Sequence, residues 1–257
     1  MTKDVYAVNC SILLTDLPLL ERPAAAKAAG FDNAELWWPF GSPVPDATEI
    51  AAFAKAFQDA GVHLTGLNLV DEMPAERGLI SLPARVADLR ANLDAVTRIA
   101  EATGCRKFNA LYGLRKPGST PAEQDEVALA NLAAAAQAVA RIGGTILLEP
   151  ISGAPDYPLK SAQAVVEVLD RVGEPNIGLL LDVYHLTMNG DDVDAAIERY
   201  GDRVAHVQIA DAPGRGAPGS GELPIQRWME DVYARGYDGL IGLEYVDKGP
   251  TPFAWAD

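Results

Sequence analysis

Four oxygen-bearing side chains stand at the same place in four consecutive apolar runs of the 257-residue chain: Glu149 in "TILLEPI", Asp182 in "IGLLLDVYH", Gln208 in "VAHVQIAD" and Glu244 in "GLIGLEYV". Successive side chains of an extended strand alternate faces, so each of the four has definite companions. Glu149 shares its face with Thr145 and Leu147, Asp182 with Gly178 and Leu180, Gln208 with Val204 and His206, and Glu244 with Leu240 and Gly242. The opposite faces carry Ile146 and Leu148, Leu179 and Leu181, Ala205 and Val207, Ile241 and Leu243, which suits a covering layer of helices. Three carboxylates and an amide in a confined space repel one another unless a cation sits among them. All four supply oxygen, the donor that hard divalent ions such as Mg2+ or Mn2+ prefer, with positions left over for water or substrate. For any single acid at a strand end the competing reading is a helix cap or an ion pair. Four on neighbouring strands favour a metal site, with Glu149, Asp182, Gln208 and Glu244 as its ligands.

These four runs continue an alternation that begins with "VYAVNCSI", "NAELWW", "LTGLNLV" and "KFNALYG", giving eight candidate strands. Between them lie runs of helical period. In "LPIQRWMEDVYARG", Ile225, Trp228, Met229, Val232 and Tyr233 fall on one helical face, and Gly236 stops the run. The same period recurs in "DDVDAAIERYG" and "SAQAVVEVLDRVG", while "PAEQDEVALANLAAAAQAVARIGG" is rich in strong helix formers and closes on Gly143 and Gly144. Strands alternating with helices predict a parallel sheet. No glycine-rich dinucleotide fingerprint follows the first strand, and the length approaches the ~250 residues of a closed barrel. The prediction is one α/β domain over residues 1–257, a (β/α)8 TIM barrel, with its site at the carboxyl ends of the strands. The tail "TPFAWAD" is too short for a full eighth helix.

Three histidines are present. His185 follows Asp182 in "DVYH" and is read as reaching substrate or metal-bound water. His206 lies one layer deeper than Gln208 on the same face and is read as support behind it, and His63 as structural. The loop "DAPGRGAPGSGELP" carries Arg215, well placed to clamp a substrate carboxylate in two-pronged fashion, and its glycines and prolines suit a lid. The net charge of -15, with Lys and Arg scattered, argues against nucleic acid as a partner. Cys10 and Cys105 have no metal or redox spacing and are expected to be packed thiols. Without a secretory pattern or an apolar run of ~18 residues, no membrane span is expected and a reducing cytoplasm fits best. Self-association into a homo-oligomer stays open.

"GTILLEPIS", "LLLDVYH", "HVQIADAPGR", "PGSGE" and "GLIGLEYV", with the opening "NCSILLTDLPLLERPAAAKAAGF", resemble the hydroxypyruvate isomerase family within the xylose-isomerase-like TIM barrels. The resemblance spans nearly the whole chain. The glutamine of "HVQIAD" is fairly specific, since related epimerases usually have histidine there. It implies one divalent ion held by Glu149, Asp182, Gln208 and Glu244, the two glutamates as the acid/base pair, and substrate contacts from His185 and Arg215. The expected reaction interconverts hydroxypyruvate and tartronate semialdehyde, or a related small sugar acid such as 2-oxo-tetronate. The alternative is a ketose 3-epimerase; a non-catalytic sugar-binding barrel would not need all four ligands, and an endonuclease of this fold would need a three-zinc cluster with many histidines and a basic surface. Two departures stand near the expected site: Gly216 and Ala217 replace a histidine and a glutamate in the family's "PGRHEPGTGE", and Trp37 and Trp38 stand where smaller apolar residues are common.

Overall fold

The computed structural model describes residues 3–247, 249 and 251–256. Eight strands close into one barrel in sequence order: β1 Tyr6–Asn9, β2 Asn33–Leu36, β3 His63–Asn68, β4 Lys107–Asn109, β5 Thr145–Leu148, β6 Ile177–Asp182, β7 Val204–Ile209 and β8 Ile241–Leu243. All neighbours pair in parallel, including β8 with β1. The eight expected strands all form, but shorter than the apolar runs that announced them. Pairing around a barrel requires only a few residues per strand, and the remainder bends away into loops and helix starts.

Helices α1 Arg22–Ala28, α2 Ala47–Ala60, α3 Val86–Thr103, α4 Pro121–Ala140, α5 Ala162–Val172, α6 Val183–Asn189, α7 Val193–Tyr200 and α8 Ile225–Ala234 cover the outside. Their ends follow local chemistry. Asp46 with Glu49 and Thr120 with Glu123 form reciprocal caps at the starts of α2 and α4. Helix α8 buries Ile225, Trp228, Met229 and Val232, as its period requires. None of the described helices is long and apolar enough to cross a membrane. Both thiols are free and buried, and His63 opens β3 in an exposed position, outside the site.

No full helix follows β8; only a short 3-10 turn at Ala254–Ala256 appears. Its place is taken by aromatic packing. Trp255 meets Tyr6 edge-on at 5.4 Å and Tyr245 at 6.2 Å, and Phe253 lies 4.8 Å from Phe31. Tyr6 and Tyr245 point outward because their neighbours Ala7 and Glu244 point in, so the tail covers the outer face of β1 and β8 where an eighth helix would lie. Phe253→Ala should therefore cost about 3 kcal/mol, seen as a Tm lower by roughly 6–12 °C. An unchanged Tm would mean that the tail is an ornament rather than part of the wall.

Candidate active site

The inward faces of β5, β6 and β8 deliver their acids to one point. Ligand atoms of Glu149, Asp182, His185 and Glu244 all lie within 4.8 Å of one another, and all four residues are buried. Glu149 follows β5 directly and accepts from Asn109 Nδ2 at 2.7 Å. Glu244 follows β8 and is held more heavily: Asn9 Nδ2 donates to Oε1 at 3.2 Å, Trp37 Nε1 donates to the same oxygen, and Arg215 Nη2 reaches Oε2 at 2.9 Å. Arg215 also donates from Nε to the Glu244 carbonyl at 3.1 Å and lies over the Tyr184 ring at 5.3 Å.

Asp182 ends β6 and caps α6, accepting the His185 N–H at Oδ1 at 2.9 Å. The expected strand "IGLLLDVYH" therefore stops at Asp182, and His185 lies in the first turn of α6. Capping and site duty are not alternatives for this residue. One oxygen serves the helix, while Oδ2 lies 3.9 Å from His185 Nε2 and accepts no hydrogen bond from any described residue.

Gln208, on β7, has its amide orientation fixed by a carboxylate that can only accept. Its Nε2 donates to Glu35 Oε1 at 2.6 Å, which leaves Oε1 buried and without a hydrogen-bond partner among the described residues. Glu35 also takes His206 Nε2 at 2.7 Å and Asn9 Nδ2 at 3.2 Å. His206 thus stands behind Gln208 through Glu35, without touching the cluster itself. Two glycines make room for this acid. A Cβ at Gly242 would come within 2.5 Å of Glu35 Oε1, and one at Gly66 within 3.3 Å of Glu35 Cβ. The sequence reading passed over Glu35 although its signal was present, an acid in "NAEL" on the inward face of β2; the period-two argument applied to β5 through β8 finds it equally well. Asn9 and Asn109 were overlooked in the same way.

Burial, with Glu244 and Asp182 as neighbours, holds the Glu149 carboxyl well above the usual carboxylate range. Burial likewise lifts Glu244 to about 7 against the pull of Arg215, and it raises Asp182, also against Arg215. A cluster that cannot keep its charges unaided, with Asp182 Oδ2 buried and without a hydrogen-bond partner among the described residues, could bind a metal ion. Glu149, Asp182, His185 and Glu244 form the group that could hold one; Gln208 stands on the neighbouring strand β7.

His185 has a different character. The Ser152 N–H donates to Nδ1 at 3.1 Å, so Nδ1 is the bare nitrogen and Nε2 carries the hydrogen. That N–H lies 3.7 Å from Glu149 Oε1. Coordination through Nε2 would require an anionic ring, so His185 is built as a hydrogen-bond donor to an oxygen in the cavity. The cavity holds about 260 Å3 and is lined by Trp37, Arg77, Glu149, His185, Arg215 and Glu244 among others. Next to it, a second hollow of about 510 Å3 is lined by Trp37, Trp38 and Phe40 but by none of the acids of the cluster.

The loop after β7 is tied down more firmly than its composition suggested. Buried Asp211 accepts the N–H groups of Ala212, Gly219 and Leu223 at 2.8, 2.9 and 3.0 Å, and it exchanges backbone hydrogen bonds with Gly216. A Cβ at Gly216 would come within 2.3 Å of Ser220 Oγ, a hydroxyl free to rotate away.

Burial, aided by Arg215, depresses His185 to about 3. The unfolded chain takes up a proton on this residue below about 6.5 while the folded chain does not, so stability contributed by neutral His185 is present above that pH and is lost as pH falls toward 3. In metal-free protein, urea denaturation should shift against the parent relative to His185→Gln by about 1.6 kcal/mol in all between pH 6.5 and 5. Parallel curves for the two proteins would contradict the buried neutral imidazole.

A family model described as xylose isomerase-like TIM barrel matches residues 23–257. A Streptomyces coelicolor relative named "Putative hydroxypyruvate isomerase" is 48% identical over 263 residues, covering 97% of this chain and 94% of its own. A 2-oxo-tetronate isomerase of Pectobacterium atrosepticum is 29% identical over 258 residues, covering 98% of this chain and 96% of its own. Among solved structures, an AP endonuclease, family 2, from Brucella melitensis superposes with a TM-score of 0.89 at 29% identity, over 98% of this chain and 97% of that one. The chain belongs to the xylose isomerase-like TIM barrels and, within them, to the hydroxypyruvate isomerase family of isomerases.

Proposed function

We propose that the protein is a metal-dependent isomerase that interconverts hydroxypyruvate and tartronate semialdehyde, or a closely related small 2-oxo acid such as 2-oxo-tetronate. The observation that carries this reading is the buried cluster of Glu149, Asp182 and Glu244 together with the donorless oxygens Asp182 Oδ2 and Gln208 Oε1. The names of the Streptomyces and Pectobacterium relatives support the substrate class. Glu149, Asp182, Gln208 and Glu244 would hold one divalent ion, Mg2+ or Mn2+, which would supply the Lewis acidity that makes the C–H beside the substrate's carbonyl easier to deprotonate.

The chain's own groups then carry the protons. One glutamate removes a proton from the hydroxymethyl carbon of hydroxypyruvate, giving an enediolate, and the other returns a proton to the neighbouring carbon. Glu149, whose carboxylate accepts from Asn109 alone, takes the proton. Glu244, held by Asn9, Trp37 and Arg215, serves the second carbon. The Nε2–H of His185 donates to a substrate oxygen, and Trp37, Leu111 and Ile151 in the cavity wall limit the access of water.

A cavity of about 260 Å3 has room for a small acid or a hexulose alike, so the preference for a small 2-oxo acid over a ketose rests on the relatives named for hydroxypyruvate and 2-oxo-tetronate. An endonuclease, the activity that the Brucella protein's designation names, would need a histidine-rich zinc cluster, and this chain has three histidines in all and a net charge of -15.

Chelation should abolish turnover of hydroxypyruvate, and Mg2+ or Mn2+ should restore it, followed by proton NMR in D2O, which reports conversion and exchange together. Full activity in a rigorously metal-free sample would end the mechanism.

Glu149→Gln keeps an oxygen donor but removes the base, so bound metal and Tm should persist while turnover falls on the order of a hundredfold to ten-thousandfold. The same is expected of Glu244→Gln. A variant that folds, holds metal and works at the parent rate would remove that glutamate from the proton path.

A further inference from the structure

Two guanidinium groups line the cavity, Arg215 and Arg77. Arg215 is engaged, with Nη2 on the Glu244 carboxylate and Nε on its carbonyl. The side chain of Arg77 makes no hydrogen bond or ion pair with any described residue. Its backbone, in contrast, is held tightly in the loop between β3 and α3. Arg77 O accepts from Gly113 N at 3.0 Å, and the flanking residues are fixed by Leu114 N to Glu76 O at 3.0 Å and Gly78 N to Asp71 O at 2.7 Å. A Cβ on Gly78 would stand 1.9 Å from Leu111 O, so this segment has one way to lie.

Arg77 itself has φ 50, a left-handed backbone that non-glycine residues seldom adopt and that concentrates where function requires it. The neighbouring contacts thus impose a strained backbone on a charged residue that lines the cavity and whose side chain is unpaired among the described residues. A half-buried arginine ordinarily finds a carboxylate, and its planar fork fits one in two-pronged fashion. Of the acids in the wall, Glu244 pairs with Arg215 and Glu149 accepts from Asn109, and neither forms an ion pair with Arg77.

We infer that Arg77 receives the carboxylate of the substrate and so selects 2-oxo acids over neutral ketoses. This rests on the isomerase reading above and assigns its anion recognition to the loop after β3, whereas the sequence alone pointed to Arg215 for that duty.

Two variants test it in the metal-loaded protein. Arg77→Asn removes the charge with a side chain that tolerates the left-handed backbone, and Arg77→Lys keeps the charge but loses the fork. The KM for hydroxypyruvate should rise about 100-fold in Arg77→Asn and about 10-fold in Arg77→Lys, with kcat within a few fold and with Mn2+ affinity and Tm unchanged. An unchanged KM overturns the assignment, as does a fall of Mn2+ affinity and Tm in step with the loss. A parent protein inert toward both hydroxypyruvate and 2-oxo-tetronate overturns the isomerase reading instead. Calorimetric titration with glycerate, the 2-hydroxy acid of the same carbon skeleton, then still reads Arg77: binding about 100-fold weaker in Arg77→Asn is expected, and equal affinity refutes its role.

Discussion

Glu149, Asp182 and Glu244 are brought together out of water at the end of a closed barrel, and most of what surrounds them answers the repulsion that results. Ligand atoms within 4.8 Å of one another cannot all carry full charge in a medium of low dielectric. Asn109, Asn9, Trp37 and Arg215 donate to the two glutamates, and the α6 N-terminus donates to Asp182. These donors still leave the glutamate carboxyls raised above their ordinary range. The protein therefore holds a buried cluster that could bind a cation and that meets its own repulsion only in part.

That cluster depends on a layer beneath it. Glu35 fixes which way Gln208 presents its amide, and His206 and Asn9 hold Glu35 in turn. Space for this arrangement comes from Gly66 and Gly242, whose missing side chains leave the barrel interior open where Glu35 must lie. The floor of the site is thus set by β1, β2, β3, β7 and β8 together, although only two of those strands bear a residue of the proposed ligand set. Asn9 links the layers directly, since its amide donates to both Glu35 and Glu244.

Period and alternation made the barrel and its four oxygen-bearing strand ends legible, because burial on one face of a parallel strand leaves a signature in sequence. Strand ends were less legible. "IGLLLDVYH" reads as one apolar run, but Asp182 turns it into a helix by capping, a choice made by one side-chain hydrogen bond. Glu35 was readable by the same logic as Glu149 and was missed only because the argument stayed on consecutive strands. Arg77 was not readable at all: its reach into the cavity comes from contacts with the segment at residues 111–114, which lies far along the chain. The fastening of the loop after β7 was likewise hidden, because Asp211, one buried carboxylate, satisfies three of its backbone donors, which composition cannot reveal.

The two arginines of the cavity share a feature that separates the roles of strand and loop. Arg77 has φ 50 and Arg215 has φ 56, two of the four described non-glycine residues with positive φ. Strands deliver the acids in relaxed extended backbone, where geometry is inexpensive and rigid, whereas each guanidinium is aimed from a loop in a left-handed conformation imposed by neighbouring hydrogen bonds. Val246 N donates to Arg215 O at 2.7 Å, as Gly113 N does to Arg77 O, so both backbones are anchored to the barrel rim while their side chains reach inward. Arg215 thus steadies Glu244 from one loop, while Arg77 lines the same cavity from another, so loops complete a cluster whose acids the strands deliver.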